Sequence, residues 1–89
     1  MNNIEILNEN GKILDMELIF SFTCKDNGKN YVALNNNEKI FELNSRYANI
    51  DIFEIVQTKG KYIYVSDISV SDWEIVKKAL QFSVFSKMN

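Results

Sequence analysis

A run of alternating apolar and polar residues constrains the fold more than any other part of the sequence. Its apolar members recur at every second position over eleven residues and are Leu14, Met16, Leu18, Phe20, Phe22 and Cys24. A period of two predicts a long β-strand with one buried face. Ile19 interrupts the polar side of this strand, which indicates either packing under an edge or a second contact surface.

Shorter apolar runs, each bounded by turn residues, predict further strands. They cover residues 4–7, 31–34, 40–43, 52–58 and 61–65. Asn10-Gly11 and Asn27-Gly28 are turn sequences, because glycine and asparagine tolerate positive φ. Residues 45–51 show no clear pattern and are expected to form a loop.

The final quarter of the sequence predicts an α-helix over about residues 71–87. Ser71 and Glu74 have the spacing of a capping box, and Val70 and Ile75 have that of a hydrophobic staple. The apolar stripe expected to face the sheet consists of Trp73, Val76, Leu80 and Val84.

These elements predict one α+β domain over residues 1–89. Its strands, over about residues 3–66, form a mostly antiparallel, meander-like sheet of five or six strands, with the C-terminal helix packed on one face. The core is expected to include Leu14, Met16, Leu18, Phe20, Phe22, Val32, Leu34, Trp73, Val76 and Leu80.

Charge and composition disfavour several classes of protein. The chain has 10 basic and 12 acidic residues, and its lysines are scattered, whereas nucleic-acid binders carry a basic stripe. No apolar run reaches the roughly 18 residues of a transmembrane helix, and the N-terminus lacks the pattern of a secretory signal. The single cysteine cannot form an internal disulfide. We therefore expect a cytoplasmic protein that binds neither nucleic acid nor membrane.

The sequence contains no recognisable catalytic or metal-binding motif. It has no histidine, which is the usual general base and the commonest metal ligand. Cys24 is interpreted as a small core residue, because no histidine is available to hold it as a thiolate. The carboxylates of Asp15, Glu17, Asp67 and Asp72 are interpreted as solvated groups. We expect no catalytic residue, no metal and no cofactor, and an enzyme built on Asp, Glu, Tyr or Lys alone stays open as an alternative.

Surplus apolar residues in the C-terminal segment indicate contact with a partner. Phe82, Phe85 and Met88 fall off the stripe that faces the sheet, and the back of a surface helix is normally polar. The alternative is that the helix bends or ends near Phe82 and that the tail packs under a strand.

Aromatic residues elsewhere extend the candidate contact surface. Tyr62 and Tyr64 share one side of a strand and form either a binding surface or cross-strand packing pairs. Arg46 and Tyr47 are a pair of residue types that interfaces favour.

The order of these features resembles the YrzB-like family of short bacterial proteins, a domain of unknown function. The resemblance rests on Asn8-Glu9-Asn10-Gly11-Lys12, on Gly28-Lys29-Asn30-Tyr31-Val32-Ala33-Leu34 and on Ser71-Asp72-Trp73-Glu74-Ile75-Val76. It spans about residues 8–80, whereas the family is more acidic and the segment 81–89 lies beyond it. The resemblance implies the fold and the compartment and assigns no activity.

The sequence favours a non-enzymatic protein-binding or regulatory module. Its expected partner is another protein or a second copy of the chain, as a homodimer. One alternative is a small inhibitor of a macromolecular machine, such as a phage-type counter-defence protein. Another is a binder of single-stranded nucleic acid that uses Tyr62 and Tyr64 as a stacking platform.

Overall fold

The computed structural model describes residues 3–43 and 46–83, and this part of the chain forms seven strands and one helix. The elements are β1 (Asn3–Leu7), β2 (Ile13–Thr23), β3 (Asn30–Asn35), β4 (Phe41–Leu43), β5 (Arg46–Ala48), β6 (Ile50–Lys59), β7 (Tyr62–Ser66) and α1 (Val70–Ser83). The alternating run forms the long strand β2, as predicted. A sheet-rich fold with one C-terminal helix is also confirmed.

Five of the strands close into a barrel in the order β1-β2-β3-β6-β7. All neighbours pair antiparallel except β1 and β7, which run parallel from Glu5 opposite Tyr62 to Leu7 opposite Tyr64. An odd number of strands that alternate in direction leaves the first and last strands parallel, so closing the ring requires one parallel pair. The expectation of a mostly antiparallel meander is corrected to a closed, mixed barrel.

The segment between β3 and β6 departs from the prediction. β4 and β5 form a separate two-stranded sheet, in which Phe41 lies opposite Ala48. Residues 40–43 therefore do not add a strand to the main sheet, and 46–48 form a strand where a loop was expected. Phe41 also makes an edge-to-face contact with Trp73 of α1, with ring centroids 5.4 Å apart, so this small sheet lies on the helix side of the barrel.

A β-bulge at Ile19 divides β2 between two faces. Leu18 pairs with Leu34 and Phe20 with Ala33, so β2 has one more residue than β3 at this point. A strand alternates sides at each residue, and the extra residue reverses the alternation. The even-numbered apolar residues of β2 therefore face the barrel interior before Ile19 and the outer, helix-covered side after it. This corrects the prediction of one continuous buried face.

The molecule consequently has two hydrophobic cores. The barrel core is built on the buried residues Ile6, Val32, Leu34 and Val65, with Leu14, Met16 and Leu18 packed against them. The helix-side core is built on Cys24, Tyr31, Ala33, Ile50, Ile52, Val76 and Leu80, with Phe20, Phe22 and Trp73 packed against them. The ten predicted core residues are all present, but they are distributed between the two cores.

The start of α1 differs from the predicted capping box. Ser69 caps the helix, because its Oγ accepts the N–H of Asp72 at 3.2 Å and its carbonyl accepts the N–H of Trp73 at 2.8 Å. Ser71 thus lies inside the helix, and Val70 is 87% exposed and cannot act as a staple. Ile75, the other member of the predicted staple, packs against the helix-side core. Of the predicted stripe, Val76 and Leu80 are fully buried, and Val84 lies outside the described residues.

Candidate functional site

The outer side of the barrel on β1, β7 and the first half of β2 carries a row of apolar side chains. We call the surface formed by Leu7, Ile13, Tyr62 and Tyr64 the tyrosine face. Leu7 is paired with Tyr64 on one side and with Ile13 on the other, so the three side chains lie next to one another across three strands. Ile13 is 49% exposed, and the other three are half-buried. None of the four belongs to either hydrophobic core.

Carboxylates border the tyrosine face. Glu5 is paired with Tyr62 on one neighbouring strand and with Asp15 on the other, so both acids point to the same outer side. Lys61 lies with its Nζ 5.2 Å from the ring centroid of Tyr62 and 3.8 Å from Glu5 Oε1. The lysine is exposed and this ion pair is long, so Glu5 remains open to a cationic group from a partner.

The structure separates the predicted contact residues. Tyr62 and Tyr64 lie together on the outer side of β7, as the alternation of that strand predicts. Arg46 and Tyr47 belong to β5 in the small sheet, and Phe82 belongs to the last turn of α1. The side chains of these three residues are not among those described, and Phe85 and Met88 lie outside the described residues altogether. The five residues that the structure describes are therefore on three different elements, β5, β7 and α1.

Leu7 and Ile13 belong to the candidate site and were not singled out by the sequence. Leu7 ends a short strand that carries no pattern of its own, and Ile13 precedes the alternating run by one residue. Their place beside Tyr64 depends on the parallel pairing of β1 with β7, between residues more than fifty positions apart. The only local indication is that Leu7 and Ile13 flank the first turn, at residues 8–12, and so pair directly with each other.

A second polar cluster lies where α1 begins. Lys29 Nζ donates a hydrogen bond to Asp72 Oδ2 at 2.6 Å and lies 3.6 Å from Glu54 Oε1. Asn27 Nδ2 donates to the hydroxyl of Tyr31 at 2.8 Å and to Asp72 Oδ1 at 3.4 Å. The cluster therefore connects the β2–β3 turn, β3, β6 and the first turn of α1.

The contacts of this cluster hold the start of α1 against the barrel, and its electrostatics agree with a structural role. The hydrogen bond from Lys29 lowers the pKa of Asp72, and the same bond raises the pKa of Lys29. Burial raises the pKa of Tyr31. All three pKa values move away from neutrality, whereas a general acid or base works best with a pKa near the working pH. Asp72, predicted as a solvated carboxylate, is therefore an anchor for the helix.

Other residues with side chains suited to catalysis or metal binding are buried in a core or hold the fold together through hydrogen bonds. Cys24 is 1% exposed within the helix-side core, where the sequence predicted a small core residue. Glu17 accepts a hydrogen bond from Asn35 Nδ2 at 2.8 Å. Glu9 Oε1 accepts the backbone N–H of Asp67 at 2.6 Å and so joins the first turn to the segment before α1. Among the described residues, no three His, Cys, Asp or Glu side chains lie close enough together to hold a metal ion.

Comparison with known proteins assigns neither a family nor a function to this chain. No protein-family model matches this sequence, and neither the curated proteins nor the solved structures show a match. The resemblance to the YrzB-like family therefore stays a prediction. Within residues 3–43 and 46–83, no helix has the length and apolar character needed to cross a membrane.

Proposed function

We propose that the protein is a non-enzymatic protein-binding module that contacts its partner through the tyrosine face. The observation that carries the proposal is the row of Tyr64, Leu7 and Ile13 on the side of the barrel opposite to the helix-side core. Tyrosine is enriched at protein interfaces, because it offers a large apolar surface and a polar hydroxyl. An apolar row with a charged border is the arrangement expected of a small interface.

The carboxylates that border the tyrosine face indicate what kind of protein surface would bind there. Glu5 lies beside Tyr62 and Asp15 lies on the other side of Glu5, so a complementary surface presents an apolar side chain flanked by lysine or arginine. The same carboxylates repel phosphate groups, which disfavours the alternative of a single-stranded nucleic acid stacked on Tyr62 and Tyr64. An inhibitor of a macromolecular machine would use the same contacts, so that alternative differs in the partner and not in the surface.

We also propose a cytoplasmic location. The single cysteine, Cys24, is free and buried in the helix-side core. A free thiol is compatible with a reducing compartment, where disulfides are rare.

Replacing Tyr64 by aspartate is expected to weaken partner binding by about 30-fold or more, which corresponds to about 2 kcal/mol. The change removes the aromatic side chain at one end of the apolar row and places a charge opposite Leu7. The measurement is affinity capture of the tagged protein from nuclease-treated native lysate, followed by titration of the captured protein against each purified variant.

Two further variants make this result specific. Asn37→Asp adds the same charge at an exposed turn position and is expected to bind as well as wild type. Phe82→Asp tests the competing surface at the end of α1. Binding that survives Tyr64→Asp, or that is lost only with Phe82→Asp, would exclude the tyrosine face. Recovery of no protein would contradict the proposal itself.

A further inference from the structure

The second half of β2 has a free edge in the described part of the chain. β1 pairs with β2 only as far as Asn3 opposite Glu17. Beyond the bulge at Ile19, the strand pairs on one side only, with β3, from Phe20 to Thr23. Among residues 3–43 and 46–83, no strand pairs with this segment on its β1 side, and we call the gap there the opening.

The backbone groups that point into this opening belong to Ser21 and Thr23. The N–H of Cys24 donates to the carbonyl of Lys29 at 2.9 Å, which directs Cys24 toward β3. Residues of an antiparallel strand alternate between bonding one neighbour and the other, so Phe22 also bonds toward β3. Ser21 and Thr23 therefore direct their N–H and C=O groups away from β3, into the opening.

Beside the edge lies a depression with a volume of about 470 Å³. It is lined on the concave side of β2, β3 and β6 by neutral side chains that include Ser21, Thr23, Asn30, Ile55 and Thr58. Thr23 Oγ1 and Asn30 Oδ1 are 2.6 Å apart at its rim. A second strand laid along the edge of β2 could extend its inward side chains into this space.

The edge is complementary to itself. Residues 18–24 carry no charge and no proline, although exposed edges in native proteins are usually protected by lysine or proline. In an antiparallel pair centred on Phe22, Ser21 of each copy lies opposite Thr23 of the other. All the outward backbone groups of these two residues then find partners, and the facing hydroxyls can hydrogen-bond across the strands.

We propose that two copies of this chain associate by antiparallel pairing of the second halves of their β2 strands, with the two-fold axis at Phe22. A two-fold contact uses the same edge on both copies and satisfies both at once. This surface is separate from the tyrosine face, so the proposal does not depend on the proposed function.

Sedimentation equilibrium of the full chain, from micromolar to millimolar concentration, tests the proposal. The expected result is an average mass that rises from the monomer value of 10.4 kDa toward twice that value. Ser21→Pro removes one outward N–H and no bond to β3, so it is expected to weaken association at least tenfold, whereas Ser21→Ala retains association. A mass that stays at the monomer value, or association that is equally strong in Ser21→Pro, would overturn the proposal.

Amide hydrogen exchange of the wild-type chain gives an answer that does not depend on whether the proline variant folds. The amides of Ser21 and Thr23 are expected to exchange more slowly as the protein concentration rises, while that of Phe22 is protected at every concentration. Protection of Ser21 and Thr23 already at the lowest concentration would mean that the chain covers its own edge and would contradict the proposal. Tyr64→Asp is expected to leave the association unchanged, which separates this proposal from the proposed function.

Discussion

Replacing Tyr31 by alanine is expected to lower the free energy of unfolding by about 3–5 kcal/mol, the usual cost of removing a buried aromatic side chain. Tyr31 has the largest fully buried side chain among the described residues, and its ring stacks on Phe22 with centroids 5.4 Å apart. It also lies in the helix-side core with Val76 and Leu80, so the cavity would separate the barrel from α1. Urea denaturation followed by circular dichroism measures the loss.

Tyr31→Phe is the matched control for this prediction. It keeps the ring and removes only the hydroxyl that accepts a hydrogen bond from Asn27 at 2.8 Å. The expected loss is about 0.5–1.5 kcal/mol, the usual net value of one hydrogen bond. If the alanine variant were no less stable than the phenylalanine variant, the position of Tyr31 between barrel and helix would be wrong.

Replacing Leu34 by alanine is expected to lower the free energy of unfolding by about 2–5 kcal/mol. Leu34 is fully buried in the barrel core and lies opposite Leu18 at the bulge. A barrel of five strands has little room to collapse around the lost side chain, so the cavity term is added to the lost hydrophobic transfer.

The tyrosine face provides the comparison for Leu34→Ala. Ile13 is also an aliphatic residue on a barrel strand, but it is 49% exposed on the outer side. Ile13→Ala is expected to change the free energy of unfolding by about 0.5 kcal/mol or less, as is usual at the surface. A large loss for Ile13→Ala would mean that the tyrosine face packs against another part of the chain and is not available to a partner.

Patterns within short segments predicted the strand β2, the helix α1 and the turns, because these features depend on residues close together in the sequence. The alternation in β2 and the apolar stripe of α1 identify both elements, because a buried face requires the period of its own secondary structure. The glycines of the predicted turns have positive φ, at +76° for Gly11 and +70° for Gly28. The N-cap was predicted two residues too late, because Ser69 and Ser71 are both followed three residues later by an acidic residue.

The features that were missed depend on pairing between distant strands. The bulge exists because the pairing of β2 with β3 leaves Ile19 as an extra residue. Within residues 14–24 the apolar Ile19 marks the position, but the alternation alone does not show that the strand changes face there. Barrel closure depends on the parallel pairing of β1 with β7, which also assembles the tyrosine face. Tyr62 and Tyr64 could thus be recognised as neighbours from the sequence, while their apolar companions Leu7 and Ile13 could not.

The central claim is that β2 changes face at Ile19 and so serves two cores, and the proposed pairing edge of β2 begins at this bulge. Double-mutant cycles with Val76→Ala on α1 test it most directly. Phe22→Leu is expected to couple to Val76→Ala by about 0.5 kcal/mol or more, because both residues contribute to the helix-side core. Leu18→Val is expected to be additive with Val76→Ala within about 0.5 kcal/mol, because Leu18 packs in the barrel core. Equal coupling of Leu18 and Phe22 to Val76 would instead place them on one continuous face and contradict the account.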